Sequence, residues 1–164
     1  MESTTAGEAL VIQFDAKALA PVALFKAEAD IRYYLNGICV MPNKNGAGCF
    51  VVGCDGHRLA VWHDPDGVCT RMTVLKVSKE LISASRKKAA KDGKVCFEDG
   101  RILLSDRNEQ ETFIQAGEAQ IEVSETPGRL GYPDIWRVVP KASDLQPGGQ
   151  GTINGRYIEA IGKR

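Results

Sequence analysis

Residues 12–19 read IQFDAKAL, and the same design returns at residues 75–82, LKVSKELI, and at residues 151–158, GTINGRYI. In each copy an extended piece leads into a residue that favours a helix N-cap, because its side-chain oxygen can accept from a free amide of the first turn. The cap positions are Asp15, Ser78 and Asn154. Apolar residues flank each cap at the spacing of a hydrophobic staple. The sequence therefore predicts three strand-to-helix starts.

Strand-like segments follow the first two starts. They are residues 34–41, 49–53 and 57–63, then 94–98, 101–105, 112–116 and 120–124. Asp99-Gly100 between two of these segments predicts a tight hairpin. Helices are expected over residues 16–27, with a kink or a delayed start at Pro21, and over residues 78–91. We predict an α+β fold of two β-α-βββ repeats, with the helices packed on one side of a curved antiparallel sheet.

Bulk composition narrows the function. The 164 residues carry 21 basic and 21 acidic side chains, so any DNA contact must come from a local basic patch. Five scattered cysteines without a C-x-x-C pair favour reduced thiols and a cytoplasmic protein. We expect no signal peptide, no membrane span of roughly 20 apolar residues, no cofactor and no metal.

Three further stretches combine turn residues, apolar residues and charges. They are RYYLNG at residues 32–37, DGHRLAV at residues 55–61 and YPDIWRVVP at residues 132–140. In this order they resemble the middle domain of the bacterial sliding clamp, the beta subunit of DNA polymerase III. That family encircles DNA and tethers a polymerase to it. The resemblance covers residues 10–140, and the duplicated unit is also the one from which clamp domains are built.

The resemblance implies sequence-independent contacts with double-stranded DNA. The candidate residues are Arg32, Tyr33, Tyr34, Lys79, Arg86, Lys87, Lys88 and Lys91. Aromatic rings and cations suit bases and phosphates, and such contacts position DNA without reading its sequence. Read without the resemblance, the two tyrosines alternate across a strand and the lysines form a solvated helix face.

The resemblance also implies a pocket that captures short peptides of DNA polymerases and other clamp-binding proteins. Carried over by position, the pocket residues are Leu35, Cys54, Gly56, His57, Arg58, Leu59, Pro133, Arg137 and Val138. Cys54 replaces the more usual threonine or small residue, and Trp136 replaces a basic residue. The far wall of the pocket would come from a following domain.

The expected organisation is a flexible N-terminus at residues 1–9, a clamp domain at residues 10–140, a linker at residues 141–150 and the truncated start of a further repeat at residues 151–164. One such domain cannot close a ring, so we expect a homo-oligomer, with a clamp loader as a further partner. Two alternatives stay open. One is a stand-alone peptide-binding adaptor without a ring, and the other is a metal-dependent hydrolase.

The hydrolase would use His57 and His63 on one strand face, with Cys54, Asp55 and Asp64 beside them. Their spacing fits no compact zinc pattern. No glycine-rich phosphate loop and no nucleophile motif accompanies them. A non-catalytic protein is therefore the main expectation.

Overall fold

The computed structural model describes residues 9–123 and 131–144, and the N-terminal residues 1–8 and the expected third repeat lie outside the described residues. The first half of the described chain contains five strands and one α-helix. In order these are β1 (Ile12–Asp15), α1 (Leu19–Ala23), β2 (Ile38–Pro42), β3 (Cys49–Cys54), β4 (Leu59–Asp64) and β5 (Val68–Cys69). Short 3₁₀ turns at Ala16–Ala18 and Tyr33–Asn36 precede α1 and β2.

The second half repeats this order. Its elements are β6 (Thr73–Leu75), α2 (Lys79–Ser85), β7 (Lys94–Glu98), β8 (Arg101–Ser105), β9 (Glu111–Gln115) and β10 (Gln120–Ile121). A 3₁₀ turn at Lys88–Ala90 follows α2, and two more, at Ile135–Arg137 and Ala142–Asp144, lie beyond β10. No helix in the described part of the chain is long and apolar enough to cross a membrane.

The two halves exchange their first strands. Sheet A has the order β5-β1-β7-β8-β9, and sheet B has the order β10-β6-β2-β3-β4, with every pair antiparallel. Strand β1 therefore lies between β5 of its own half and β7 of the second half, and β6 lies between β10 of its own half and β2 of the first half. The predicted α+β fold of two repeats is confirmed, whereas the exchange of strands between two sheets was not predicted from the repeat pattern.

Alternate residues of the central strands enter two different apolar clusters, as the two-residue period of a strand requires. In β2, Ile38 and Val40 join an inner cluster that links both sheets and both helices. Cys39 and Met41 face the other way, into an outer cluster on sheet B. The outer cluster also contains Leu35, Val52, Val74, Tyr132 and Ile135. Segment 131–138 thus covers the outer face of sheet B.

Both predicted caps are confirmed, Asp15 at the 3₁₀ turn that leads into α1 and Ser78 at α2. The Asp15 carboxylate accepts from the backbone N–H of Lys17 at 2.8 Å, and the Ser78 hydroxyl accepts from that of Leu81 at 3.0 Å. The buried Asp64 carboxylate accepts from the backbone N–H of Asp15 at 2.7 Å, which ties the end of β4 to the end of β1. Local side-chain chemistry therefore starts each repeat in the same way.

Both helices are shorter than the sequence predicted. Helix α1 ends at Ala23 and begins in a 3₁₀ turn, so Pro21 falls near its start, where a missing N–H is tolerated. Helix α2 ends at Ser85, not at residue 91, and Ala90 in the following 3₁₀ turn is buried. The expected strand at residues 34–41 is also wrong at its start, because residues 33–36 form a 3₁₀ turn. The predicted strands at residues 94–98 and 101–105 are confirmed.

Helix α1 lies very close to sheet B at Gly53. A Cβ atom at this position would overlap the carbonyl oxygen of Val22 in α1. We expect Gly53→Ala to lower the free energy of unfolding by about 1–3 kcal/mol, because the backbone of the helix must move away. Urea denaturation measures this decrease.

The matched control is Gly46→Ala, where the new methyl group meets only the side chain of half-buried Asn43, at 3.2 Å. An equal decrease of stability in both variants would contradict the close approach of α1 to β3.

Candidate functional site

The first motif, residues 32–37, forms a turn that its own side chains hold in place. The Asn36 amide accepts from the backbone N–H of Asp30 at 2.8 Å and donates to the carbonyl of Asp30 at 3.0 Å. Leu35 is fully buried in the outer cluster. A Cβ at Gly37 would lie 2.6 Å from the carbonyl oxygen of Leu75, so the turn packs against β6.

Arg32 is held by a neighbouring carboxylate. Its Nε and Nη2 donate to the two oxygens of Asp30, each at 3.0 Å, in a bidentate pair. The hydrogen bond from the Arg32 side chain lowers the pKa of Asp30 to about 2. The guanidinium also lies over Gly56, where a Cβ would come within 2.8 Å of it, so Arg32 joins the first motif to the second.

The two tyrosines occupy different environments. Tyr33 is 44% exposed, whereas Tyr34 is partly buried against the outer cluster. Tyr34 makes edge-to-face contacts with Tyr33 and Tyr132, with ring centroids 5.7 and 6.5 Å apart. Tyr33 is therefore the tyrosine with surface available for a ligand.

The second motif, residues 55–61, makes a tight turn into β4. The Asp55 carboxylate accepts from the backbone N–H groups of His57 and Arg58 at 2.9 Å and from the Arg58 Nε at 2.9 Å. Burial opposes ionisation of Asp55, but these hydrogen bonds lower its pKa overall. The Arg58 guanidinium also donates to the carbonyl of Leu24 at 2.7 Å and stacks on the ring of Phe25. Arg58 thus connects this turn to the chain that follows α1.

The residues assigned to the peptide pocket fall into two groups. Leu35, Cys54 and Leu59 contact the outer cluster, to which segment 131–138 contributes Tyr132 and Ile135. The other members of the set are more exposed or engaged in the turn. The Arg137 side chain is 84% exposed, and Val138 is 72% exposed. Pro133, Gly56 and His57 are also exposed. Cys54 retains a polar contact, since its Sγ accepts from the N–H of Gly56 at 3.4 Å.

The basic residues predicted on one long helix lie on shorter pieces. Lys79 begins α2, Arg86 follows its last residue, Lys87 precedes the next 3₁₀ turn, and Lys88 and Lys91 begin and follow that turn. All five are exposed. Residues 76–91 contain six cationic side chains and one carboxylate, Glu80. None of these cations makes an ion pair within 4.0 Å in the described part of the chain, so the segment is a basic patch in a neutral protein.

The single strand face that a His57–His63 site needs does not form. Strand β4 starts at Leu59, which leaves His57 in the preceding turn. His63 lies 3.1 Å from the carbonyl oxygen of Ala47, and its ring packs on Phe50. Within residues 9–123 and 131–144, no group of three metal-ligating side chains is close enough to hold an ion.

Solved structures with this arrangement of strands and helices exist. A DNA polymerase sliding clamp from Pseudomonas aeruginosa, solved with a ligand, matches with a TM-score of 0.55 and 24% identity over 88% of this chain. The DNA polymerase III subunit beta of the same organism matches with a TM-score of 0.50 and 22% identity over 87% of this chain. The fold is that of a sliding clamp. The chain spans 38% of the length of each of these clamps. No protein-family model and no curated protein matches the chain.

The clamp-type fold carries an open cavity of about 790 Å³ on the outer face of sheet B. Its apolar lining comes from the ends of β2 and β3, from the residue before β6, and from segment 131–138. These lining residues are Met41, Phe50, Met72, Tyr132, Ile135 and Trp136. Of the residues assigned to peptide capture, only Pro133 lines this cavity.

Sequence reasoning missed the residues that hold the motifs in shape. Asp30 stands two residues before Arg32, a spacing that favours a side-chain turn and was readable in the sequence. Leu24 and Phe25, which hold Arg58, had no local signal, because they are more than thirty residues away from it. The cavity lining had none either, since it unites parts of four separate segments of the clamp-type fold.

The Arg32–Asp30 pair gives a direct test of this geometry. In Arg32→Gln we expect the pKa of Asp30 to rise from about 2 towards its ordinary value of 3.8, because the guanidinium hydrogen bonds are removed. Asp30 favours the folded state above the unfolded pKa, and this effect is lost as the pH falls towards about 2. Carboxyl-carbon NMR titration measures the change.

The internal control is Asp92, whose pKa is lowered by its hydrogen bond from Lys17. Its titration should stay the same in Arg32→Gln. An unchanged Asp30 titration would show that Arg32 is not its partner in solution.

Proposed function

We propose that this chain is a clamp-type, non-catalytic accessory protein that helps to hold a DNA polymerase on double-stranded DNA. The observation that carries the proposal is the exchanged two-sheet fold, which matches a DNA polymerase sliding clamp over 88% of the chain. The fold match supports a role in holding the polymerase on DNA.

The cysteines of the described chain are scattered and free, and several are buried, which suits a reducing cytoplasm.

A unit that spans 38% of a clamp needs further units to surround a duplex. We therefore propose that the chain acts as a homo-oligomer, with a clamp loader as a further partner. Strands β4 and β9 end their sheets, with Val61 and Ile114 37% and 42% exposed. Exposed strand edges of this kind favour pairing with another subunit.

Contact with DNA is assigned first to the basic patch at residues 76–91. Exposed cations without carboxylate partners can neutralise phosphates and release the counterions of the DNA. Binding of this kind does not depend on the DNA sequence. Tyr33 is assigned as a second DNA contact, because its exposed ring can stack on a base or touch the DNA backbone. Arg32 contributes less, since it would have to give up Asp30 to bind a phosphate.

Peptide capture is assigned to the surface around Cys54 and Leu59, which are partly buried above the fully buried Leu35 and adjoin the Asp55–Arg58 turn. Apolar side chains beside a few fixed polar groups suit the anchor of a linear peptide. A stand-alone adaptor is the second candidate, because this surface needs no ring. Size-exclusion mass with and without circular primed DNA separates the two, since an adaptor stays monomeric and never loads.

The basic patch gives a test of DNA contact. We expect Lys87→Ala/Lys88→Ala to flatten the plot of log binding constant against log salt concentration by about 1–2 units of slope, roughly 0.9 for each phosphate that is no longer neutralised. Fluorescence anisotropy with a short labelled duplex at low salt measures the slope.

Arg101→Ala/Arg107→Ala removes the same charge from the start of β8 and from the turn that follows it, and should leave the slope nearly unchanged. If both double variants flatten the plot equally, the attraction comes from overall charge and not from the patch.

The peptide surface is tested by Leu59→Ala. We expect the affinity for a clamp-binding peptide of a DNA polymerase to weaken by about 1–3 kcal/mol of binding free energy, as is typical when an anchor side chain is truncated. Isothermal titration calorimetry measures the affinity, with Val68→Ala on sheet A as the control. Unchanged affinity in a folded Leu59→Ala protein would remove the assignment.

A further inference from the structure

The lining of the 790 Å³ cavity has the composition of a protein-binding surface. It brings together Met41 and Met72 with Phe50, Tyr132 and Trp136. Met41 and Met72 are the two methionines of the described chain. Aromatic residues, methionine and arginine are the types enriched at the centres of protein interfaces, and methionine adapts to varied partners. We call this cavity, between the 43–45 turn and segment 132–136, the Trp136 trough.

The aromatic part of the trough is ordered by ring contacts. Trp136 is 48% exposed and packs edge-to-face on Phe50, with ring centroids 4.9 Å apart. Phe50 in turn packs on His63 at the same centroid distance. A half-exposed indole held in this way offers a large apolar contact at a low entropic cost.

The rim of the trough is cationic. Lys44 and Arg71 line it, both are exposed, and neither makes an ion pair within 4.0 Å in the described part of the chain. The one carboxylate of the lining, Asp134, accepts from the backbone N–H of Trp136 at 3.2 Å and lies 3.6 Å from the Arg137 Nε. The charge that remains to attract a ligand is therefore positive.

We propose that the Trp136 trough binds a linear segment of a partner protein in which a large apolar side chain stands next to carboxylates. The apolar side chain contacts Trp136, Phe50 and the methionines, and the carboxylates meet Lys44 and Arg71. The volume exceeds that of one side chain several-fold, which fits a segment of a few residues. This assignment goes beyond the proposed function, because it requires neither DNA nor a ring and uses another pocket.

The test uses the full chain and the synthetic peptide acetyl-Gly-Glu-Phe-Glu-Gly-amide, followed by NMR. We expect saturable shifts of the Met41 and Met72 methyl signals and of the Trp136 indole N–H. Peptides with Ala in place of Phe, or Lys in place of Glu, should bind about tenfold more weakly or worse, since each removes one of the two attractions. Equal binding of all three peptides would overturn the proposal.

Charge-reversal variants locate the site. Lys44→Glu/Arg71→Glu should weaken the Glu-Phe-Glu peptide about tenfold or more. Arg101→Glu/Arg107→Glu, with the same change in net charge on sheet A, should not. Leu59→Ala should also bind normally, so failure of the trough and failure of the proposed peptide surface remain distinguishable.

Three outcomes assign the trough to another occupant and would overturn the proposal. Free 3-phenylpropionate that binds as tightly as the peptide indicates a small-molecule site. Trp136 shifts that depend on protein concentration without peptide indicate a second copy of the chain. Peptide shifts centred on Leu59 and Cys54, with the trough signals unmoved, place binding at the other end of sheet B.

Discussion

The exchange of first strands between the halves is the constraint on which the rest of the structure depends. Strand β1 pairs with β7 of the other half, while β2, the next strand in sequence, pairs with β6. Because buried backbone groups must find hydrogen-bond partners, neither half can complete its own sheet. The inner cluster, which joins both sheets and both helices, therefore forms only when the two halves fold together.

The three separate motifs pack on the same face of sheet B. The turn that carries Leu35, the strand that begins at Leu59 and the segment that carries Ile135 all pack on the outer cluster of sheet B. Sheet A has no such cover in the described chain, and Val68 and Ile114 remain exposed on it. The two sheets thus have related topologies, but sheet B alone carries the motifs and the Trp136 trough.

Features set by neighbouring residues were predictable from the sequence, and features set by distant contacts were not. The caps at Asp15 and Ser78 and the hairpin at Asp99-Gly100 depend on residues a few positions apart, so their patterns predicted them correctly. The turn at residues 33–36 depends on Asn36 reaching back to Asp30, which competes with a strand pattern that looks equally good. For the candidate sites, the sequence could name the residues. It could not show which of their side chains are already hydrogen-bonded to neighbouring residues.

Whether a cation is already paired with a carboxylate separates the basic side chains of this neutral chain into two groups. Arg32 and Arg58 belong to the motifs, but each is bound to a carboxylate within its own turn, at Asp30 and Asp55. For either to hold a phosphate, it must first release a charge-assisted hydrogen bond and leave a carboxylate behind. The cations of residues 76–91 face no such cost. The proposed salt-dependent contact with DNA is therefore assigned to the basic patch, whereas the motif arginines hold the turns that precede β2 and β4 in shape.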